Sequence, residues 1–222
     1  MIVMSNQVQA GESITTTVDL LRHGECVDGH CYRGATDVAL SEKGMASMTQ
    51  RVQHFLLSDI PQWQRVISSP LIRCAYFAND LSQQYQLPLH LNDKLQEMYF
   101  GDWEGQSIDH IWQTQQRSVE QWFADPVQHP PPNGEAADIF AARVVSGFEQ
   151  SIQRYQGEHL LMVTHGGVMR VLLAHCLSMS LLELHRFDVP YACLSRLQII
   201  TASDGQQYYR LIAHNMTREA YA

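Results

Sequence analysis

The chain of 222 residues carries a formal net charge of -8, with 45% hydrophobic and 17% charged residues. A sequence of this length and composition builds one substantial globular core, which excludes a disordered chain. The negative charge argues against general binding to nucleic acid or to an anionic membrane surface, because both attract basic proteins. An anionic ligand would therefore need a local cluster of arginines.

Residues 1–13 are polar and without periodicity, and we predict that they form a flexible lead-in to a single domain over residues 14–222. The lead-in does not combine a basic region with an apolar stretch and a cleavage site, which predicts a cytoplasmic protein. The spacing of Cys26 and Cys31 allows a metal site or a disulfide. Because no second cysteine pair accompanies them, we interpret both as inert thiols and predict no metal.

The first half of the chain predicts two strands, each followed by a helix. The β-branched run ITTTVDLL at residues 14–21 is typical of a strand, and RVISS at residues 65–69 is typical of a short buried one. Between them, EKGMASMTQRVQHFLL places apolar residues at helical spacing, which indicates an amphipathic helix. After the second strand, Ser69 and Pro70 suit the cap and the first position of a helix that runs to about Tyr85.

The middle of the chain, from residue 101 to residue 133, is its least regular part. The prolines of HPPPNGE stop any preceding helix, and Asn133 is predicted to cap the next one. That helix keeps the 3.6-residue period along one apolar face. The face consists of Phe140, Val144, Phe148, Ile152 and Tyr155.

In the last third of the chain, HLLMVT predicts a buried strand, GGVMRVLLAHCL a helix, and CLSRLQIIT and QYYRLIAHN a hairpin around SDG. The most apolar stretch is interrupted by His165, Arg170 and His175, so we do not expect it to span a membrane. Strands that alternate with helices predict an α/β fold, with a largely parallel sheet covered on both faces.

Polar side chains follow three of these strands where each strand ends. Arg22 and His23 follow the first, Arg73 lies just beyond the second, and His165 follows the strand HLLMVT. In open parallel sheets, ligands bind beyond the carboxyl ends of the strands. Each residue alone is more often a surface cation or a hydrogen-bonded core histidine, but Arg73 lies in a first helical turn, where the helix dipole disfavours a cation. Four such residues at equivalent places predict an anion site.

Four stretches of the sequence occur in a characteristic order: LLRHGE, SSPLIRC, LQEMYFGDWEG and VTHGG. With these separations the chain resembles the histidine phosphatase superfamily, the phosphoglycerate mutase-like group, from about Val18 to Asn215. LQEMYFGDWEG and PPPNGE are most similar to the α-ribazole-5'-phosphate phosphatases of cobalamin nucleotide-loop assembly. The resemblance implies a three-layer sandwich with helices on both faces of a mostly parallel sheet, and a cap-like segment at about residues 101–135 that covers the site.

The resemblance also implies a phosphomonoesterase that hydrolyses a small phosphorylated metabolite, best matched by α-ribazole 5'-phosphate, without a metal or a cofactor. By position His23 is the nucleophile that forms a phosphohistidine. Arg22, Arg73 and His165 would hold and neutralise the phosphate oxygens. His23 must be neutral to attack, and the two neighbouring arginines would lower its pKa.

Glu97 is the general acid that the resemblance implies: it would protonate the leaving alkoxide and later deprotonate the attacking water. From residue type alone, a glutamate in a loop is a solvated surface charge, so this assignment depends on the motif around it. Glu104, in DWEG, is a competing candidate for which the resemblance implies a structural role.

Relatives often carry an asparagine a few residues after RHGE that helps to hold the phosphate, whereas this chain has CVDGHCYRG there. Arg33 or His30 is the candidate replacement. Besides the residues already named, Arg33, Gly34 and Gly166 are predicted to line the phosphate pocket.

Two other functions stay open from the sequence. A mutase-type phosphotransferase would protect its phosphohistidine from water, and mutases of the group tend to be longer than this chain. A non-catalytic phosphate-binding module would lack a catalytic residue, and none of the predicted ones is missing. Four aromatic residues would either stack on a flat base such as benzimidazole or pack the cap onto the sheet. They are Trp103, Trp112, Trp122 and Phe123.

Overall fold

The computed structural model describes residues 13–56 and 63–217, so almost all of the predicted lead-in lies outside the described residues. The described strands are β1 (Ile14–Arg22), β2 (Arg65–Ser68), β3 (Leu89–Leu91), β4 (His159–Thr164), β5 (Leu194–Thr201) and β6 (Gln207–Ala213). The described α-helices are α1 (Glu42–Leu56), α2 (Ile72–Tyr85), α3 (Ile108–Thr114), α4 (Gln116–Ala124), α5 (Ala137–Arg154) and α6 (Gly166–Cys176).

The strands form one sheet in the order β3-β2-β4-β1-β5-β6. Strands β1 to β4 are mutually parallel, and β5 is antiparallel to both of its neighbours. The prediction of an α/β fold with a mostly parallel sheet is confirmed, as is the closing hairpin of β5 and β6. The register places Arg22 beside Thr164 and Ser68 beside Val163, so β1, β2 and β4 end at one edge of the sheet.

Alternation of side chains along the strands divides the core into the two outer interfaces of a three-layer sandwich. On β1, Leu20 packs into the cluster that includes α5 and α6, whereas Leu21 packs into the cluster that includes α1 and α2. Met162 and Val163 of β4 divide in the same way. β4 is buried along its whole length, as expected of a central parallel strand with helices on both sides.

The predicted apolar face of α5 is confirmed, because all five of its residues are buried. The predicted cap of this helix is wrong. The residue before α5 is Ala136, which makes no side-chain capping bond. Asn133 adopts φ +56°, and its side-chain amide donates to both carboxylate oxygens of Asp102 at 3.1 and 3.0 Å. The Asn133 amide was predicted to cap α5, but it bonds with the Asp102 carboxylate instead.

The predicted start of α2 is also wrong. The helix begins at Ile72 rather than at Pro70, and Ser69 is not its cap residue. The backbone N–H of Ile72 donates to Asp37 Oδ1 at 2.7 Å, so a carboxylate from a distant loop satisfies this helix end. The Ser69 hydroxyl accepts from the Leu71 N–H at 3.3 Å, just before the helix, and it also accepts from His165 Nε2 at 2.8 Å.

Residues 101–135 contain the short helices α3 and α4, which pack through a small core of their own. That core joins Trp103, Ile111 and Val119 to Tyr32, which belongs to the loop after β1. The cap-like segment is therefore anchored to the loop that follows the predicted nucleophile. Among the described residues, no helix has the length and hydropathy that crossing a membrane requires.

Candidate active site

The structure brings Arg22, His23, Arg73 and His165 together at the edge where β1, β2 and β4 end. His23 and His165 follow adjacent strands, and the His23 N–H donates to Thr164 O at 2.9 Å. Their imidazole centroids lie 5.3 Å apart, with the rings at 62°. The four side chains are therefore close enough to influence one another's charge, as expected for residues that follow strands ending at one edge of the sheet.

The His23 imidazole is held in one tautomer by its own loop. Its Nδ1 lies 2.7 Å from Gly24 O, and because a carbonyl oxygen only accepts, Nδ1 must carry the proton. Nε2 consequently keeps its lone pair. Burial, followed by the charges of Arg22 and Arg73, lowers the pKa of His23 well below its ordinary value. A neutral imidazole with a free Nε2 is the form that can act as a nucleophile.

His165 is held neutral by the same means. Arg73 Nε donates to His165 Nδ1 at 3.2 Å, so the His165 proton lies on Nε2, which donates to Ser69 Oγ. Burial, then the charge of Arg73, lowers the pKa of His165 well below its ordinary value.

These two depressed pKa values predict a dependence of stability on pH. An ordinary histidine titrates near pH ~6.5, so below that pH the unfolded chain binds protons at both positions that the native chain does not. The free energy of unfolding should therefore decrease as the pH falls from about 6.5 towards the native pKa values. In urea unfolding, we expect His23→Ala to reduce this slope by up to about 1.4 kcal/mol per pH unit. Equal slopes in both proteins would show that His23 is not held neutral.

Arg22 and Arg73 differ in what they contact. Arg22 Nη1 donates to Val189 O at 2.6 Å, and its Nε is buried without a partner among the described residues. Arg73 is fully buried, and its terminal nitrogens donate to Thr36 O at 2.8 Å and to Gly34 O at 2.7 Å. Arg73 therefore ties the loop after β1 to His165, whereas Arg22 keeps an unpaired donor close to Gly166.

Glu97 lies at the other side of the site and is 8% exposed. Its Oε1 accepts from the Met98 N–H at 3.0 Å, and its Oε2 accepts from the Gly167 N–H at 2.9 Å in the first turn of α6. A Cβ at Gly167 would lie 2.3 Å from Glu97 Oε1, and one at Gly166 would lie 3.1 Å from Arg22 Nε. The two glycines of VTHGG thus let both charged side chains approach the start of the helix.

Glu104 is separated from this chemistry. Its carboxylate accepts from the backbone N–H groups of Gly34, Ala35 and Thr36 and from the Thr36 hydroxyl. It also accepts from the N–H of Phe100 at 2.9 Å. A carboxylate with this many local donors fixes the loop whose carbonyls hold Arg73, which is a structural role.

Arg33 lies in the loop after β1 and is almost completely buried. Its Nε donates to Asp28 Oδ2 at 2.9 Å, its Nη2 bonds with Asp28 Oδ1, and Nη2 also donates to Gly29 O at 2.7 Å. His30 is exposed and makes no such side-chain contacts with the described part of the chain, although both residues line the cavity described next. Asp28 therefore fixes Arg33 in the cavity lining, and both Arg33 and His30 stay candidates for the role of the missing asparagine.

A cavity of about 460 Å³ opens onto His23 and Glu97. Its polar end also includes Arg22, Arg33, Gly166, Gly167, Arg170 and Tyr191. Its opposite end is apolar and is lined mainly by Phe100, Ile108, Trp112, Trp122, Phe123, Phe140, Leu181, Leu182 and Leu184. Arg73, His165 and Gly34 are not among the lining residues, since they support the site from behind. The cavity thus joins a cationic end to an aromatic one.

Three of the four predicted aromatic residues line this cavity. Trp112 and Phe123 are stacked, with ring centroids 5.9 Å apart at 25°, and Trp122 contacts Phe123 edge-on at 4.9 Å. Trp103 is fully buried instead, and its Nε1 donates to Gln115 at 2.9 Å. Trp103 packs the cap, and the other three remain available to a ligand.

Arg170 and Tyr191 line the cavity, although the sequence did not predict a place for either of them there. Arg170 follows Gly166 by four residues, so one turn of α6 places both on the same side of the helix. The spacing of Gly166 and Arg170 could therefore have predicted that Arg170 lines the site. No sequence pattern could have predicted Tyr191, because it lies in an irregular loop before β5 and approaches the site only because β5 pairs with β1.

All five cysteines are free thiols, so Cys26 and Cys31 do not form a disulfide in the structure. Burial and the Asp28 carboxylate raise the pKa of Cys31 to about 11, and burial raises that of Cys26. Both thiols are therefore protonated at neutral pH. In residues 13–56 and 63–217 there is no cluster of three or more side chains suited to hold a metal ion.

Comparison with known proteins gives one family and a consistent set of relatives. The family profile of the histidine phosphatase superfamily (branch 1) matches residues 18–211. The adenosylcobalamin/alpha-ribazole phosphatase of Salmonella typhimurium is 34% identical over 187 residues, which cover 81% of this chain and 89% of the relative. The Escherichia coli protein of the same name is 30% identical and covers 81% and 88%.

Solved structures agree with these matches. The alpha-ribazole phosphatase from Shigella flexneri superposes with a TM-score of 0.74 at 28% identity, covering 91% of this chain and 96% of that one. The structure of YhfR from Bacillus stearothermophilus gives a TM-score of 0.80 at 22% identity, covering 91% and 98%, which supports the fold alone.

Proposed function

Because this chain belongs to the histidine phosphatase superfamily and is a phosphatase, we propose that it hydrolyses α-ribazole 5'-phosphate through a phosphohistidine at His23, without a metal ion. The observation that carries the proposal is the cavity in which the free Nε2 of His23 lies at the cationic end and aromatic rings form the other end. The two ends match the phosphate and the base of such a substrate.

In the first step, His23 Nε2 attacks phosphorus in line, so that the N–P bond forms while the ester P–O bond breaks. Glu97 transfers a proton to the departing alkoxide. In the second step, Glu97 as carboxylate accepts a proton from water, whose oxygen attacks the phosphohistidine. Inorganic phosphate leaves, and His23 is again neutral with Nε2 free.

Several groups must share the stabilisation of the transferring phosphoryl group. Enzymes accelerate the slowest phosphate-monoester hydrolyses by up to ~10²¹-fold, whereas one preorganised donor contributes about 3 to 4 kcal/mol. Arg22, Arg33 and Gly166 line the polar end and would contact the phosphate oxygens directly. Arg73, His165 and Gly34 would act from the layer beneath, where they fix the loop and the neutral imidazole pair.

The apolar end of the cavity supports the substrate assignment. The stacked pair of Trp112 and Phe123, together with Trp122, presents flat faces to a planar heterocycle. Stacking of a nucleobase on an aromatic side chain contributes about 1 to 3 kcal/mol. Curated relatives at 30 to 34% identity are named for alpha-ribazole and adenosylcobalamin substrates.

The test is phosphate release with excess EDTA from α-ribazole 5'-phosphate, ribose 5-phosphate, nucleoside monophosphates, p-nitrophenyl phosphate and 3-phosphoglycerate. We expect the highest kcat/KM for α-ribazole 5'-phosphate. Loss of activity in EDTA would contradict the metal-free mechanism, and an isomerised ester without free phosphate would identify a mutase. A binding module would release no phosphate from any compound.

Trp112→Leu tests the role of the aromatic end. Loss of one stacking face should raise KM for α-ribazole 5'-phosphate by about tenfold or more, since a stacked base contributes about 1 to 3 kcal/mol. The KM for ribose 5-phosphate, which has no base, should change much less. Equal changes for both substrates would contradict stacking on Trp112.

A further inference from the structure

Arg22 is held in place by the loop that precedes β5. Its Nη1 donates to Val189 O at 2.6 Å, and its guanidinium carbon lies 4.3 Å from the ring centroid of Tyr191. A guanidinium stacked on an aromatic ring at this distance gains cation–π attraction and is restricted to one plane. The carbonyl fixes one nitrogen of Arg22, and the Tyr191 ring fixes the plane of the group.

Tyr191 is itself fixed relative to His23. The backbone N–H of Ala192 donates to His23 O at 3.3 Å, and that of Arg22 donates to Cys193 O at 2.9 Å, so the loop is bonded to the end of β1. The Tyr191 ring also lies 5.7 Å from the imidazole of His23, between centroids, at an angle of 49°. One rigid connection therefore relates Tyr191, Arg22 and the imidazole.

The charges around Arg22 also bear on how its side chain is held in place. Arg33 is paired with the Asp28 carboxylate, but no carboxylate forms an ion pair with Arg22 within the described ranges. A Cβ at Gly166 would lie 3.1 Å from Arg22 Nε and 3.2 Å from Arg170 Nη1, so a second cation adjoins Arg22. The Glu97 carboxylate attracts Arg22 without forming an ion pair with it, so the carbonyl of Val189 and the face of the Tyr191 ring are the contacts that orient the guanidinium.

We propose that Tyr191 is a positioning residue that orients Arg22 for contact with the substrate phosphate. It acts on Arg22 through its ring and sets phosphate affinity at the cationic end of the cavity. Its hydroxyl bonds with Arg33 instead, and because Asp28 already pairs Arg33, loss of the hydroxyl should matter less than loss of the ring. This inference rests on the proposed function in that Arg22 must meet a phosphate group.

The matched pair Tyr191→Phe and Tyr191→Leu separates the ring from the hydroxyl. Tyr191→Phe keeps the ring and should change the Kd for inorganic phosphate, measured by calorimetry, by less than about threefold. Tyr191→Leu removes the ring and should weaken phosphate binding by about tenfold, with at least the same loss of kcat/KM for p-nitrophenyl phosphate. Tyr208→Leu, on the exposed side of β6, is the control and should bind phosphate normally.

A double-mutant cycle with Arg22→Lys tests whether Tyr191 acts through Arg22. A lysine ammonium lacks the planar stacking surface, so Tyr191→Leu should cost less than about twofold in phosphate affinity in the Arg22→Lys background. Additive losses, or a Phe variant as impaired as the Leu variant, would overturn the proposal. If Tyr191→Leu unfolds, Tyr191→Met is measured instead. Phosphate binding tests Tyr191 even if wild-type protein hydrolyses no ester, an outcome that would reject only the proposed function.

Discussion

Replacement of His23 by alanine is expected to abolish phosphate release, with a loss of roughly 10⁴-fold or more in kcat for every ester in the panel. His23 is the neutral imidazole whose Nε2 keeps its lone pair, and it lines the cavity. Rapid acid-free quenching of wild-type protein with a radiolabelled ester should also trap an acid-labile phosphoprotein, which the variant does not form.

The His23 result needs a folded variant. Removal of a buried side chain costs about 1 to 3 kcal/mol of stability, so a thermal melt should still show a cooperative transition. His110→Ala is the matched control, because this histidine lies exposed on α3 outside the cavity lining, and it should retain wild-type turnover. Activity of the His23 variant within tenfold of wild type would remove His23 from the nucleophile role.

Replacement of Glu97 by glutamine is expected to have an effect that depends on the leaving group. Alkyl esters such as α-ribazole 5'-phosphate need a proton on the departing oxygen, and loss of a general acid costs about 10²- to 10⁴-fold. p-Nitrophenolate leaves readily without one, so kcat/KM for p-nitrophenyl phosphate, which reports the phosphoryl transfer to His23 and not the later hydrolysis, should fall by less than about tenfold. The ratios of variant to wild-type kcat/KM for the two esters, measured side by side, give the test.

Equal losses for both esters would contradict Glu97 as the acid and would indicate a positional role through the Gly167 N–H instead. Glu120→Gln, on the exposed face of α4, is the matched control for the change of charge and should leave both kcat/KM values unaltered.

The two glutamates show how far sequence patterns reach. Residue type does not separate Glu97 from Glu104, and the family motif assigned one to chemistry and one to structure. The contacts give the physical difference: Glu104 is occupied by the loop at residues 34–36, whereas Glu97 lines the cavity with two backbone donors. Neither contact set follows from periodicity, because the partners are about 70 residues apart in sequence.

The predicted helix caps at Ser69 and Asn133 were wrong because contacts with residues far away in the sequence also decide where these side chains bond. Capping rules describe local hydrogen bonding, and both side chains suit a helix N-terminus by type. In the folded chain, Asp102 engages the Asn133 amide, and the Ser69 hydroxyl accepts from both His165 and the Leu71 N–H, one residue before the helix. Local propensity is overridden wherever a stronger distant partner is brought within reach.

By itself, the sequence determined the α/β class, the apolar faces of its helices, and the convergence of Arg22, His23, Arg73 and His165. These follow from hydrophobic periodicity and from the rule that parallel strands end at one edge of a sheet. Three further features were set by the tertiary structure alone: the burial of Arg73, the ion pair of Arg33 with Asp28 and the position of Tyr191 against Arg22. Each depends on hydrogen bonds or ring contacts that form when the chain folds.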